Sequence, residues 1–173
     1  MSTSPRRRVY VAGPGGFDAA GRAWHRQVCE RLGAAGFNVL DPWFASQDQF
    51  RAAYAVAPDA RLAALRSANR AAGAMNASMI GAADAVLALL DGVDVDSGTA
   101  AEIGFAAAVG TLIVGYRTDW RTSGDNAAAI VNLQVEYFID LSGGTIVTGD
   151  SGADDSELLD IALRSLRERL ASG

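Results

Sequence analysis

Asp84-Ala85-Val86-Leu87-Ala88-Leu89-Leu90, running on to Asp96-Ser97-Gly98-Thr99-Ala100-Ala101-Glu102, is the stretch that decides the fold. Its first half is a continuous apolar run of strand length, the pattern of a central parallel strand covered on both faces. Its second half opens an Ala-rich helix that ends at Gly110. One carboxylate on the loop and a second in the first helical turn would both face the carboxyl end of a sheet, where open α/β sheets hold ligands. Two carboxylates around a pocket suit the breaking of a glycosidic bond. The same residues also spell a helix start. In Thr99-x-x-Glu102, Thr99 would take a first-turn amide and Glu102 would fold back onto the Thr99 amide as a capping box. On this heptapeptide alone the capping box is the more economical reading.

Outward from this stretch, strand and helix patterns alternate. Arg8 to Ala12 is a short β-type run, ended by the turn Gly13-Pro14-Gly15-Gly16. A helical pattern follows from Asp18 to Ala35, with Trp24, Val28, Arg31 and Leu32 at helical spacing and Gly36 as a C′ residue. Phe37 to Leu40 reads as a second strand, and Asp41 to Ala57 as an irregular connection rich in aromatics. Pro58 suits the first turn of a long helix to Ala82. Thr111 to Tyr116 is a fourth strand, Arg117 to Ala127 a polar loop, and Gly144 to Thr148 a fifth strand. Asp155 to Leu170 is a terminal helix whose stripe is Leu158, Ile161, Ala162, Leu166 and Leu170.

The order implies an α/β fold: a doubly wound, flavodoxin-like (Rossmann-type) five-stranded parallel sheet flanked by helices. It occupies one domain, residues 9–173, behind a flexible terminus at 1–8. Strands one and three are then neighbours, so the Gly13-Pro14 turn and the Asp91–Glu102 loop line one crevice. Tyr10, near the end of strand one, points its hydroxyl either into that crevice or into the core.

The chain has 173 residues, half of them apolar, and a formal net charge of −5. That balance argues against a nucleic-acid polymer as partner, since such a partner needs a basic surface. Arg6-Arg7-Arg8 reads as a solubilising terminus. The single Cys29 excludes an intrachain disulfide, and with a single histidine, His25, a Cys/His zinc site is not expected. His25 is read as a surface or packing residue, and no metal is assigned. No cleavable signal and no run of 18 apolar residues is present, so no membrane partner is expected and the location reads as cytoplasmic.

Four separated segments resemble the nucleoside 2-deoxyribosyltransferase family. Val9-Tyr10-Val11-Ala12-Gly13-Pro14 resembles the family's opening strand and turn. Asn76-Ala77-Ser78-Met79-Ile80 with Ala83-Asp84-Ala85-Val86 is similar to its helix-to-strand segment. Asp96-Ser97-Gly98-Thr99 through Glu102-Ile103-Gly104-Phe105-Ala106 resembles its most specific signature, and Val131-Asn132-Leu133 its late loop.

The resemblance implies a set of roles. Glu102 matches the nucleophile that forms a glycosyl ester, Asp96 the acid that protonates the departing base, and Tyr10 the phenol that orients the nucleophile. Asn132 matches a residue lent to a neighbouring subunit's pocket, at the sugar 5′-hydroxyl. Some relatives carry Asp where this chain has Asn76. An amide cannot supply a proton but can donate to and accept from a base, which leaves Asn76 a base-positioning role. Gly13, Pro14, Gly98 and Gln49 complete the expected substrate site. Phe17, Trp43 and Phe44 belong either to the core or to a base-stacking wall, and Trp120 to an interface.

The activity implied is transfer of a 2-deoxyribosyl group between nucleobases, as in nucleotide salvage. Its substrates are a deoxynucleoside and a free nucleobase, with no cofactor. A homo-oligomer, dimer or higher, would share Asn132 across subunits. Two alternatives stand beside it: an N-glycosidase acting on deoxynucleoside 5′-monophosphates, with Gly15-Gly16 and Arg22 near the phosphate, and a non-catalytic nucleotide-binding module.

Overall fold

Strands that are apolar at nearly every position lie in the middle of the sheet, because only there are both faces covered. In the computed structural model, which describes residues 5–172, these are β1 (Arg8–Ala12), β3 (Ala85–Leu89) and β4 (Leu112–Arg117). The short β2 (Asn38–Leu40) and β5 (Thr145–Thr148) form the two edges. All pairings are parallel and the order is β2-β1-β3-β4-β5, the flavodoxin-like winding expected from the sequence. β1 and β3 are neighbours in a register that sets Tyr10 opposite Val86.

Alternation along β1 divides the core in two. Val9 and Val11 face α1 (Ala19–Ala34) and α6 (Asp155–Ser172), where Val28, Leu32, Leu159 and Leu166 close the packing. Tyr10 and Ala12 face the opposite side, against Ile80 of α3 (Pro58–Ala82), Ile103 of α4 (Ser97–Ala108) and Ile139 of α5 (Leu133–Leu141). Each fully buried Leu or Ile contributes about 1.5–3 kcal/mol relative to exposure, so neither layer is dispensable.

Two segments differ from the sequence reading. Residues 41–57 are not an irregular connection: Pro42–Ala55 is a helix, α2, capped by Asp41, whose side chain accepts from the Trp43 and Phe44 amides. Its buried residues are Pro42, Ser46 and Ala53, so no large apolar stripe marked it as helical. The late loop around Asn132 likewise contains α5. This helix is nine residues long and apolar on both sides, with Val135 and Ile139 inward and Leu133, Tyr137 and Leu141 outward. Gln134, Glu136 and Asp140 interrupt its apolar residues at every second or fourth position, so no helical stripe stood out in so short a segment.

At the amino end Arg7 and Arg8 both reach Asp84, whose carboxylate also accepts from the Arg8 amide at 2.6 Å. Residues 1–4 of the expected flexible terminus lie outside the described residues. Among the described residues no helix is long and apolar enough to cross a membrane.

Candidate active site

The helix that carries Glu102 starts earlier than its sequence suggested, and the shift frees that carboxylate. Asp96, not Thr99, is the N-cap of α4. Its Oδ2 accepts from the Thr99 amide at 3.0 Å and from the Thr99 hydroxyl at 3.3 Å. Glu102 therefore lies in the second turn, out of reach of the first amides, and the capping-box reading is overturned.

Glu102 Oε1 instead accepts two bonds from other elements. The Tyr10 hydroxyl donates at 2.6 Å from β1, and Asn76 Nδ2 donates at 3.2 Å from α3. Neither bond uses Oε2. Tyr10 is fully buried: its ring lies in the core, and its hydroxyl acts on the crevice only through Glu102. Asn76 Oδ1 is also buried and has no partner, an arrangement that costs free energy unless a ligand supplies a donor.

Burial pushes the Glu102 carboxyl above its ordinary range. The Tyr10 and Asn76 bonds oppose that rise and the nearby Asp96 charge adds to it. Burial and the Glu102 charge together drive the Tyr10 phenol far above its usual value, so it stays a donor. Among the described residues no cation pairs with Glu102. The carboxylate is held by neutral donors, which leaves its charge available to an electron-poor carbon.

Gly13, Trp43, Asn76, Asp96, Gly98 and Glu102 line one cavity of about 220 Å³, together with Phe17, Phe50 and Thr99. Trp43 donates its indole N–H to the Gly13 carbonyl at 3.1 Å. Its ring lies so close to Gly16 that a Cβ there would stand 2.0 Å from it, so only glycine allows this wall. Phe17 meets Trp43 edge-on at 5.0 Å. These aromatics are wall and not core, since Phe17 is 71% exposed and Trp43 half-buried. Phe44 is 76% exposed and lies on the far side of Trp43, away from this cavity.

Four expected residues do not line this cavity, and the first of them, Tyr10, reaches it only through Glu102. Pro14 stays in the turn beside it. Gln49 is on α2 with its Nε2 buried and unpartnered, and is not among the lining residues. Asn132 caps α5, its Oδ1 accepting from the Gln134 amide at 3.0 Å. A lock lies beneath the site, and the residue that sequence reading missed in it is Arg117. Arg117, 1% exposed, donates to the carbonyls of Leu90, Gly92 and Arg121. Asp91 in turn accepts from the Thr118 amide and hydroxyl and from the Asp119 amide. Together they fix the loop that leads to Asp96.

The sequence profile of the family described as nucleoside 2-deoxyribosyltransferase matches residues 9–138. No curated protein sequence matches the chain. Among solved structures, a conserved protein from Enterococcus faecalis V583 is similar at 23% identity and a TM-score of 0.64, covering 95% of this chain and 99% of that one. The CMP N-glycosidase BcmB of Clostridium botulinum is similar at 19% identity and a TM-score of 0.55, covering 90% and 97%. A 2-deoxyribosyltransferase from Bacillus psychrosaccharolyticus is similar at 16% identity and a TM-score of 0.53, covering 87% and 95%. At these identities the likeness is one of fold.

Proposed function

Since the chain belongs to the nucleoside 2-deoxyribosyltransferase family, whose members act on nucleosides or nucleotides, we propose that it moves a 2-deoxyribosyl group from one nucleobase to another through an ester on Glu102. The observation that carries this reading is the Tyr10–Glu102 bond of 2.6 Å, which holds a half-buried carboxylate at the cavity with Oε2 unspent.

The ionised Glu102 attacks the anomeric carbon. A C–O bond forms as the C–N bond to the base breaks, and the departing base takes its proton from the Asp96 carboxyl. Both bonds that Asp96 accepts use Oδ2, which leaves Oδ1 for this exchange. In the second half an incoming base attacks the same carbon, the ester breaks, and a proton returns to Asp96. Tyr10 and Asn76 hold Oε1 throughout, and the unpartnered Asn76 Oδ1 accepts from the sugar or base. The Phe17–Trp43 wall stacks on the base. A 2-deoxy sugar lacks the electron-withdrawing 2′-hydroxyl, so the oxocarbenium-like transition state is easier to reach.

A nucleoside is favoured over a nucleotide by the start of α4. A helix N-terminus is a ready site for a phosphate, but here the Thr99 amide is already taken by Asp96 Oδ2, and Gly15, Gly16 and Arg22, the other expected phosphate donors, border the cavity behind Trp43 and not the one at Glu102. Incubation of deoxyinosine or thymidine with free adenine tests the reading. The expected product is deoxyadenosine, with ribonucleosides reacting far more slowly. If free base and free sugar alone accumulate under excess acceptor, the chain is a hydrolase.

A further inference from the structure

Behind the aromatic wall, on the side of Trp43 away from Glu102, three side chains of different donor type converge. His25 and Cys29 are one turn apart on α1, and Asp41 closes β2. His25 Nε2 lies 2.9 Å from Asp41 Oδ1 and 3.5 Å from Cys29 Sγ, and the Cys29 thiol donates to Asp41 Oδ2 at 3.8 Å. One ligand atom from each lies within 4.8 Å of the others. In a tetrahedral zinc site with N, S and O ligands at ~2.0–2.3 Å, ligand atoms stand ~3.3–3.6 Å apart. Both separations from Cys29 Sγ lie close to that range, and the His25–Asp41 contact, made through Oδ1, leaves Oδ2 on the side of the sulfur.

The carboxylate is divided in a way that suits a metal. Asp41 Oδ1 accepts from the Trp43 and Phe44 amides as the cap of α2, while Oδ2 faces the sulfur. A fourth side is open: His25 and Asp41 border a separate cavity of about 350 Å³ with Gly15, Gly16, Trp43 and Phe44. Arg22 and Arg26 stand on its exposed rim, where solvent screens their charge.

The geometry points to His25 Nε2, Cys29 Sγ and Asp41 Oδ2 as three ligands of a zinc-class divalent cation, with a fourth position open to solvent. Binding moves the Cys29 proton to solvent and leaves a thiolate on the ion, with the imidazole proton on Nδ1. The bound ion would tie α1 to the start of α2 and so fix Trp43, which both cavities share.

Cobalt(II) titrated into the reduced, purified chain is the test, because Cys29 is the sole source of a thiolate-to-metal charge-transfer band. The expected result is a near-ultraviolet band that saturates at one ion per chain, is displaced by zinc, and is absent in Cys29→Ser. His25→Ala and Asp41→Asn should each weaken the affinity by about tenfold or more. Asparagine caps a helix as well as aspartate does, so the second variant separates ligation from the fold of α2, which circular dichroism checks. The inference is overturned if the wild-type chain shows no such band. It is equally overturned if the band survives with undiminished affinity in both His25→Ala and Asp41→Asn, since Cys29 alone would then be binding the metal.

Discussion

Glu102 combines two properties that pull stability and chemistry apart. Its carboxyl is raised by burial, so the folded chain binds its proton more tightly than the unfolded chain does. Between the unfolded and folded values stability therefore falls as pH rises, and above both the full cost of the ionised form is present. Glu102→Gln removes that cost while its amide oxygen can still accept from Tyr10. At pH 7 the variant should melt no lower than the wild type, and higher if the cost is appreciable, with the difference shrinking as pH is lowered below the carboxylate range. Its turnover should fall on the order of 10⁴-fold, the scale of a lost nucleophile. Calorimetry against pH and a base-exchange assay read the two effects separately, and a variant that melts early while keeping its activity would return Glu102 to a structural role. Tyr10→Phe removes a donor that lowers the Glu102 value. The acid limb of the rate profile should then move to higher pH, because the nucleophile must be ionised to act. The Asp96-to-Glu102 signature marked the loop and helix that carry both carboxylates, whereas strand alternation left Tyr10 open between crevice and core and only the family resemblance tied it to Glu102. Glu102's release from capping was not legible, since Thr99 and Asp96 both make acceptable N-caps and only the backbone chooses between them.

Among elements, the sheet was readable and the two short-range exceptions were not. β1, β3 and β4 announce themselves by apolar runs, whereas α2 buries Ser46 and Ala53, and α5 splits its apolar residues between a buried side and an exposed side with Gln134, Glu136 and Asp140 between them. The lock beneath β3 and β4 was invisible for another reason: Arg117 finds its partners at the carbonyls of residues 90, 92 and 121, which no sequence pattern connects. An arginine in a strand reads as an edge or surface residue, yet this one is buried. Arg117→Ala would leave those carbonyls without donors, and an unsatisfied buried polar group costs about 1–3 kcal/mol. Denaturant unfolding should show a loss of about 3 kcal/mol or more. Activity per folded molecule should fall as well, because the loop from Asp91 to Asp96 loses one of its two anchors. A stability change below about 1 kcal/mol would mean that water replaces the guanidinium without strain.

At the scale of the whole molecule, the outer side of α4 and α5 is apolar and exposed. α4 packs against α5, and on their outer side Leu133, Tyr137 and Leu141 follow one another at i, i+4 and i+8, beside Phe105 and Val109. These five are 40–58% exposed on two helices packed against each other, with three of them in one row along α5. Asn132 stands at the head of that stripe. Its Oδ1 is spent on its own helix cap, but the Nδ2 hydrogens are not, so a copy docked on the stripe would meet a free amide donor there. The expectation is a homodimer or larger assembly built on α4 and α5, with Asn132 presented to the neighbouring site. Tyr137→Asp combined with Leu141→Asp places two charges in the stripe, and sedimentation should then show a smaller species than the wild type. Co-assembly separates sharing from mere association. Glu102→Ala and Asn132→Ala, each inactive alone, should partly rescue each other when mixed during refolding, because some mixed sites carry both native residues. Replacing Asn132 by Ser keeps a helix cap while removing the amide, so an inactive but normally melting Asn132→Ser assigns the loss to the site and not to α5. A fully active monomer in sedimentation, or mixed assemblies without rescue, would confine the site to one chain.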